Sequence, residues 1–167
     1  MRLLSSLLLV IVFTIIPLMA VEKSVHTKLP LSESLPLLDT IKDAAIHLGL
    51  GERQVYLFVD PLCPHSQDFI DLISSNEKLL LRNRYNIYLY TLKRLHSEKI
   101  VTAIYMSEDP LHSLLDVMIH KQKIVEVKAS EEVLSKIEAI ENVAKKLDVY
   151  KRPYLILTKK PKLKRGH

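Results

Sequence analysis

Residues 55–69 read VYLFVDPLCPHSQDF and hold the one cysteine of the chain, Cys63. The stretch 54–60 is short, apolar and rich in β-branched and aromatic residues, which predicts a buried strand. Pro64 suits the first turn of a helix, because proline has no N–H to leave unpaired there. The residues after it have the apolar spacing of a helix. The sequence therefore predicts that Cys63 lies where a buried strand passes through a short loop into a helix.

The remaining apolar patterns extend this strand and helix into a layered α/β domain. Apolar residues at intervals of three and four predict helices, and short alternating runs predict strands. In chain order we expect a helix at 34–48 ended by Gly49 and Gly51, a bend at 82–85, a strand at 86–92, a helix at 97–106, a helix at 111–121 that follows Asp109 and Pro110, a helix at 130–147 capped by Ser130, and a proline-led strand at 153–158. This order predicts at least one parallel crossover and a small helical insertion.

Both ends of the chain differ from this central region. Residues 1–20 combine Arg2 with an apolar run at 7–16, Pro17 and Ala20, which is typical of a secretory signal peptide. The alternative is an uncleaved membrane anchor, or tether, formed by residues 3–20. In either case we expect the rest of the chain to be exported. It divides into a linker at 21–33, one domain at 34–158 that begins with a short N-terminal helix, and a basic tail at 159–167.

The composition excludes several kinds of site. With 1 cysteine the chain has no internal disulfide framework and no thiolate zinc site. With 3 glycines it has no glycine loop for phosphate. The tail contains five basic residues, which account for the formal net charge of +5 of the chain. Basic residues are not clustered elsewhere, so we expect no nucleic-acid groove. The tail is interpreted as a solvated terminus, with acidic lipid headgroups or an acidic partner as the alternative.

One helical spacing resembles a metal site and is interpreted otherwise. His112, Asp116 and His120 recur at i, i+4 and i+8, a spacing that aligns ligands on one side of a helix. An apolar stripe lies beside them and no fourth ligand is evident, so we interpret them as the solvated flank of that helix. The sequence predicts no metal and no cofactor.

The position of Cys63 suits nucleophilic chemistry. At a helix N-terminus, unpaired N–H groups and the positive end of the helix dipole favour a thiolate. His65 adds positive charge when protonated, and its ring N–H can screen the sulfur. The alternative is an inert buried thiol, because free cysteine is among the most buried residues. Ser66 is too weak an acid to act as a second thiol, so we interpret it as a hydrogen-bond donor to the sulfur or as an ordinary surface serine.

The tetrad Cys63-Pro64-His65-Ser66 resembles the Cys-Pro-His-Cys active site of the DsbA branch of the periplasmic disulfide oxidoreductases, with serine in place of the second cysteine. Residues 151–154, KRPY, resemble the cis-proline loop of those proteins, and the helical insertion is more similar to the DsbC/DsbG isomerase branch. The resemblance covers residues 53–158 and implies a thioredoxin-like fold. It implies that Asp60 is the acidic residue at the end of the strand, with a solvated turn carboxylate as the alternative. Residues 21–50 are too few for the separate dimerisation domain of the isomerases.

The same resemblance implies a periplasmic protein in which Arg152 and Pro153 lie opposite Cys63. The backbone of Arg152, with Pro153 and Pro64, would then bind an extended substrate peptide. We hypothesise a monothiol thiol–disulfide exchange or isomerase-like factor that forms mixed disulfides through Cys63 with cysteine-containing exported proteins or small thiols. The alternative is a non-catalytic peptide-binding or chaperone-like module that has lost redox turnover with Ser66.

Overall fold

A computed structural model describes residues 26–158, which fold into a four-stranded mixed sheet packed against helices. The leader predicted at 1–20 and the basic tail predicted at 159–167 lie outside the described residues. The elements are α1 (Leu31–Asp39), β1 (Ile46–Leu48), β2 (Arg53–Val59), α2 (Pro64–Ser74), α3 (Glu77–Arg82), β3 (Asn83–Leu89), α4 (Glu98–Met106), α5 (Pro110–Met118), α6 (Glu131–Lys146) and β4 (Tyr154–Leu157), with short 3₁₀ turns at Lys42–Ala44 and Lys93–Leu95. Across residues 26–158, the structure has no helix with the length and apolar content needed to cross a bilayer.

The strand order in the sheet is β1-β3-β2-β4. β2 and β3 are parallel, whereas β1 and β4 run antiparallel to their neighbours. The connection from β2 to β3 passes through α2 and α3, which confirms the predicted parallel crossover. Leu57, Phe58 and Val59 are consecutive in β2 and completely buried. Because successive strand residues point to opposite faces, both faces of the sheet are covered here.

Three helix starts predicted from the sequence are confirmed. Cys63 is the N-cap of α2, with Pro64 in the first position. α6 follows Ser130, whose hydroxyl accepts a hydrogen bond from the N–H of Val133 at 3.2 Å. α5 follows Asp109, which caps its first turn in the same way. The side chains of Ser130 and Asp109 satisfy N–H groups that would otherwise lack an acceptor, whereas the side chain of Cys63 accepts no such bond. The helical insertion, α4 and α5, lies between β3 and α6.

The helix predicted at 34–48 is wrong in its second half. α1 begins at Leu31, inside the predicted linker, and ends at Asp39. Residues 46–48 form β1 instead, with buried, exposed and buried side chains in turn. The apolar residues Ile46 and Leu48 are compatible with a helix or a strand as far as local sequence is concerned. They form a strand because they pair with β3. Gly49 has φ +84°, and a Cβ there would lie 2.5 Å from the carbonyl oxygen of Asn83. This glycine therefore permits a close backbone approach and does not end a helix.

The bend predicted at 82–85 and the strand predicted at 86–92 are displaced along the chain. α3 runs directly into β3, which begins at Asn83 and ends at Leu89. Asn83 and Asn86 are residues typical of turns, yet both are buried in this strand. Their side chains are satisfied inside the protein, since Asn86 donates to Gln54 Oε1 at 2.9 Å and Asn83 donates to the last turn of α3.

Candidate active site

Cys63 is held by backbone hydrogen bonds on both sides of the junction between strand and helix. Its N–H donates to the carbonyl oxygen of Asp60 at 3.0 Å, and its own carbonyl oxygen accepts the N–H of Gln67 at 2.9 Å. The backbone at Cys63 is extended, with φ −77° and ψ 117°, as at other residues that precede a first helical turn. The residue is only 2% exposed. Cys63 therefore lies at the N-terminus of α2, as predicted, but beneath the surface.

The loop before β4 brings Arg152 and Pro153 to this cysteine. β4 pairs with β2, and Tyr154 is the register partner of Phe58. The pairing carries the preceding loop to the end of β2 that leads into Cys63. The Cys63 Sγ lies 3.9 Å from the carbonyl oxygen of Arg152, and the Arg152–Pro153 peptide bond is cis. Two segments that are 89 residues apart in the chain thus form one site.

The side chain of Arg152 is buried, and its N–H groups donate hydrogen bonds to backbone oxygens. The acceptors are the carbonyl oxygens of Tyr90 (2.8 Å), Val149 (3.0 Å), Lys151 (3.1 Å) and Thr91 (3.3 Å). The guanidinium also stacks on an aromatic ring, with Cζ 3.8 Å from the ring centroid of Tyr90. The side chain therefore ties the loop before β4 to the segment that follows β3.

The carboxylate of Asp60 is completely buried at the end of β2. Oδ1 accepts the N–H of Leu62 at 2.8 Å, and Oδ2 accepts the hydroxyl of Ser97 at 2.8 Å together with the N–H of Leu92. The interpretation of Asp60 as a solvated turn carboxylate is therefore wrong. Buried carboxylates need such donors, because nothing else replaces the water that they lose.

Arg152 and Asp60 place opposite buried charges beside the thiol. Burial lowers the pKa of Arg152, because desolvation disfavours the cation, while Tyr90, Asp60 and Cys63 act in the opposite direction. Arginine stays protonated at every physiological pH. The site therefore contains a permanent positive charge that offsets the carboxylate and interacts favourably with negative charge on the sulfur.

The other members of the tetrad occupy different environments. Ser66 is completely buried, and its Oγ accepts the N–H of Asp60 at 3.4 Å, so its interpretation as a surface serine is wrong. Pro64 and His65 are exposed. Among residues 26–158, no hydrogen bond links Cys63 to Ser66 or to His65. The predicted hydrogen bond from Ser66 to the sulfur is thus replaced by a contact that fixes the loop after β2.

Tyr90 and Ser97 complete the site, and neither is expected there from the sequence pattern. Both follow β3 closely in the chain. Since β2 and β3 are parallel, their carboxyl ends meet at one edge of the sheet, and residues after β3 must lie near the loop after β2. The strand displacement by three residues hid this proximity, because Tyr90 was assigned to the interior of the predicted strand.

Metal binding has no support among the described residues. No group of three His, Cys, Asp or Glu side chains within 26–158 is arranged to hold an ion. His112 and Asp116 contact each other on the surface of α5, with Nε2 and Oδ2 3.4 Å apart. Pairs at this spacing are common on helix surfaces.

Comparison with known proteins identifies similar structures. No family model and no curated protein sequence matches the chain. The compact form of Proteus mirabilis ScsC has 17% identity and a TM-score of 0.61, covering 81% of this chain and 73% of that one. Helicobacter pylori DsbG has 19% identity and a TM-score of 0.55, covering 76% and 61%. A periplasmic thioredoxin-like protein from Salmonella enterica serovar Typhimurium has 13% identity and a TM-score of 0.50, covering 78% and 86%.

These identities are low, so the similarity concerns the fold. The chain therefore has the thioredoxin-like fold, as a structural relative of ScsC and DsbG.

Proposed function

We propose that the chain is an exported monothiol factor that exchanges disulfides through Cys63 with cysteine-containing proteins or small thiols. The observation that carries the proposal is the position of Cys63 Sγ, at the N-terminus of α2 and 3.9 Å from the carbonyl oxygen of Arg152. Helix N-termini stabilise negative charge, and the Arg152 guanidinium adds a permanent cation nearby. The proposal requires the thiolate of Cys63, which is the form that attacks disulfides.

The proposed reaction needs no external oxidant or reductant for its first step. The Cys63 thiolate attacks one sulfur of a substrate disulfide, that S–S bond breaks, a Cys63–substrate bond forms, and the other substrate sulfur leaves as a thiolate. Ser66 cannot resolve this mixed disulfide, because it is not a thiol and its Oγ is buried against the N–H of Asp60. Release therefore requires a second thiol of the same substrate, which gives isomerisation, or a small external thiol.

A second candidate function is a non-catalytic peptide-binding or chaperone-like module. It is favoured by the 2% exposure of Cys63, which leaves little room for a substrate sulfur to approach. In this alternative, substrate peptide binds beside the backbone of Arg152, with Pro153 and Pro64 in contact, and no covalent bond forms. The residues of the site are the same, and the two functions differ in whether Cys63 reacts.

We propose a periplasmic location. Its support is the apolar leader of the sequence, with Arg2 before the run at 7–16, together with the fold likeness to a periplasmic thioredoxin-like protein. A tether formed by residues 3–20 remains part of this proposal. Measuring the mass of the mature N-terminus in envelope extracts separates a cleaved leader from an anchor.

The test uses a small protein with scrambled disulfides. Wild type is expected to form a disulfide-linked adduct with the substrate, which a reductant cleaves. When a small thiol is present, wild type is also expected to restore the native disulfides of the substrate. The Cys63→Ser variant is the control and is expected to do neither. If wild type forms no adduct but binds the unfolded substrate as well as Cys63→Ser does, the binding module replaces the exchange factor.

A further inference from the structure

A cavity of about 350 Å³ lies directly beside the loop of the proposed site. It is enclosed by the start of α2, by α4, by the end of α5 and by the segment that follows α5. We call it the insertion cleft and define it by Leu62, Gln67, Val117, Lys121, Lys123 and Ile124. Leu62, which lines the cleft, is the residue immediately before Cys63 in the chain.

The floor of the insertion cleft is apolar. Leu62, Val117 and Ile124 line it together with Ile100 from α4. These side chains come from three separate parts of the chain, namely the loop before α2, the helical insertion and the segment after α5. An apolar cavity of this size takes up a large apolar side chain, because burial there removes its surface from water.

A chain of hydrogen bonds connects the cleft to the proposed site. Gln67, in the first turns of α2, donates from Nε2 to the carbonyl oxygen of Pro61 at 2.7 Å. Its Oε1 accepts from Lys121 Nζ, and the same ammonium donates to the carbonyl oxygen of Met118 at 2.6 Å. These hydrogen bonds connect the cleft wall to the loop that leads into Cys63.

The rim of the cleft carries positive charge that the protein leaves largely uncompensated. The acceptors of Lys121 are neutral carbonyl and amide oxygens. Lys123 is exposed, and Glu126, the acidic residue of the lining, is bound to Lys99 at 2.7 Å. An acidic group on an occupant would therefore meet two ammonium groups with no competing salt bridge among residues 26–158 to either of them.

We propose that the insertion cleft binds an apolar side chain of the substrate peptide with an acidic residue beside it, close to the cysteine that this peptide presents to Cys63. The inference rests on the proposed function and names its substrate class. The apolar floor selects the side chain, the Lys121 and Lys123 rim selects the acidic neighbour, and Leu62 connects the cleft to the loop that carries Cys63.

Binding is measured first without chemistry, on the full chain carrying Cys63→Ser. Three fluorescent peptides are compared, each with serine in place of the reacting cysteine. They differ only in the two residues beside that serine, which are Leu-Glu, Leu-Lys or Ser-Glu. The Leu-Glu peptide is expected to bind about fivefold or more tightly than either of the others, by fluorescence anisotropy. Equal affinity of the three peptides, or no binding of any of them, overturns the proposal.

Matched variants test the two halves of the cleft separately. Lys121→Gln with Lys123→Gln removes the rim charge and is expected to abolish the preference for Leu-Glu over Leu-Lys. Ile124→Ser is expected to reduce the preference for Leu-Glu over Ser-Glu. Lys78→Gln, which changes an exposed lysine of α3, is the control and is expected to change neither. Since Lys121 also contacts Gln67, Lys123→Gln alone is measured in parallel, and an unchanged preference in both lysine variants contradicts the role of the rim.

Exchange with disulfide-linked versions of the same peptides is then measured on wild type. Exchange that proceeds equally with all three peptides contradicts the cleft and leaves the exchange function in place. Binding that discriminates among the peptides without any exchange supports the cleft and contradicts the exchange function.

Discussion

Cys63 combines a position suited to nucleophilic chemistry with almost complete burial. Its sulfur lies at a helix N-terminus and near a guanidinium, whereas the surrounding protein limits access to it. The neighbours that create this environment are themselves buried polar groups, chiefly Asp60, Ser66 and Arg152. Each has hydrogen bonds to the backbone, and Asp60 also accepts the hydroxyl of Ser97, so the polar part of the site is a fixed framework around one thiol.

Replacing Arg152 by methionine tests this framework. Arg152→Met removes hydrogen bonds to four carbonyl oxygens and a buried positive charge that interacts with Asp60. We expect the free energy of unfolding to fall by about 2–4 kcal/mol, measured by urea titration. The exposed Lys151→Met is the control and is expected to cost less than about 1 kcal/mol. A change in Arg152→Met as small as in the control contradicts the role assigned to the guanidinium.

Replacing Ser66 by cysteine tests whether the missing thiol alone prevents dithiol chemistry. Ser66 lies one turn after Cys63, so Ser66→Cys is expected to form a disulfide with Cys63 and to catalyse the reduction of insulin by dithiothreitol. Ser75→Cys, an exposed position at the other end of α2, is the control and is expected to stay inactive. An inactive Ser66→Cys variant with both thiols free would show that the site lacks further features needed for dithiol chemistry, besides the second thiol.

At the scale of elements, the turn between β1 and β2 fixes how the sheet is assembled. Gly49 combines φ +84° with backbone atoms so close that no side chain fits, and the carbonyl oxygen of Asn83 at the start of β3 is one of them. Backbone hydrogen bonds from Leu50 to Leu80 and from Gly51 to Asn83 hold the turn against α3 and β3. Gly49 therefore lies where three elements meet, and Gly51 in the same turn also approaches the backbone closely, since a Cβ there would lie 2.1 Å from the carbonyl carbon of Arg82.

Gly49→Ala is expected to lower the free energy of unfolding by about 1–3 kcal/mol, because alanine disfavours positive φ and its Cβ would displace the backbone. Glu52→Ala, an exposed change three residues later, is the control and is expected to stay within about 0.5 kcal/mol of wild type. Urea unfolding measures both. Equal stability of the two variants contradicts the close approach at this turn.

The elements differ in how much of them the sequence predicts. β2, the start of α2 and the cap of α6 follow from local signals, namely a β-rich run, Pro64 and Ser130. β1 does not, because Ile46 and Leu48 become a strand only through pairing with β3. Likewise, Asn83 and Asn86 have turn preferences that tertiary hydrogen bonds override. The local part of the site was therefore predictable, and the contributions of Tyr90 and Ser97 depended on sheet register.

At the scale of the whole molecule, the candidate site lies where the carboxyl ends of β2 and β3 meet the loop before β4. α2 presents its N-terminus there, and the helical insertion adds the insertion cleft on one side. The parallel pair of strands supplies rigidity, and the surrounding loops supply the chemistry, as is usual in α/β proteins. The arrangement supports either covalent exchange or peptide binding, and the reactivity of one sulfur decides between them.

The rate at which Cys63 reacts with 5,5′-dithiobis(2-nitrobenzoate) in the folded protein, relative to the unfolded protein in urea at the same pH, tests the central claim most directly. An activated thiol is expected to react at least as fast when folded as when unfolded, with the released thionitrobenzoate equal to one per chain. A folded protein that reacts many times more slowly than the unfolded chain has an inert buried thiol, which would contradict the exchange function.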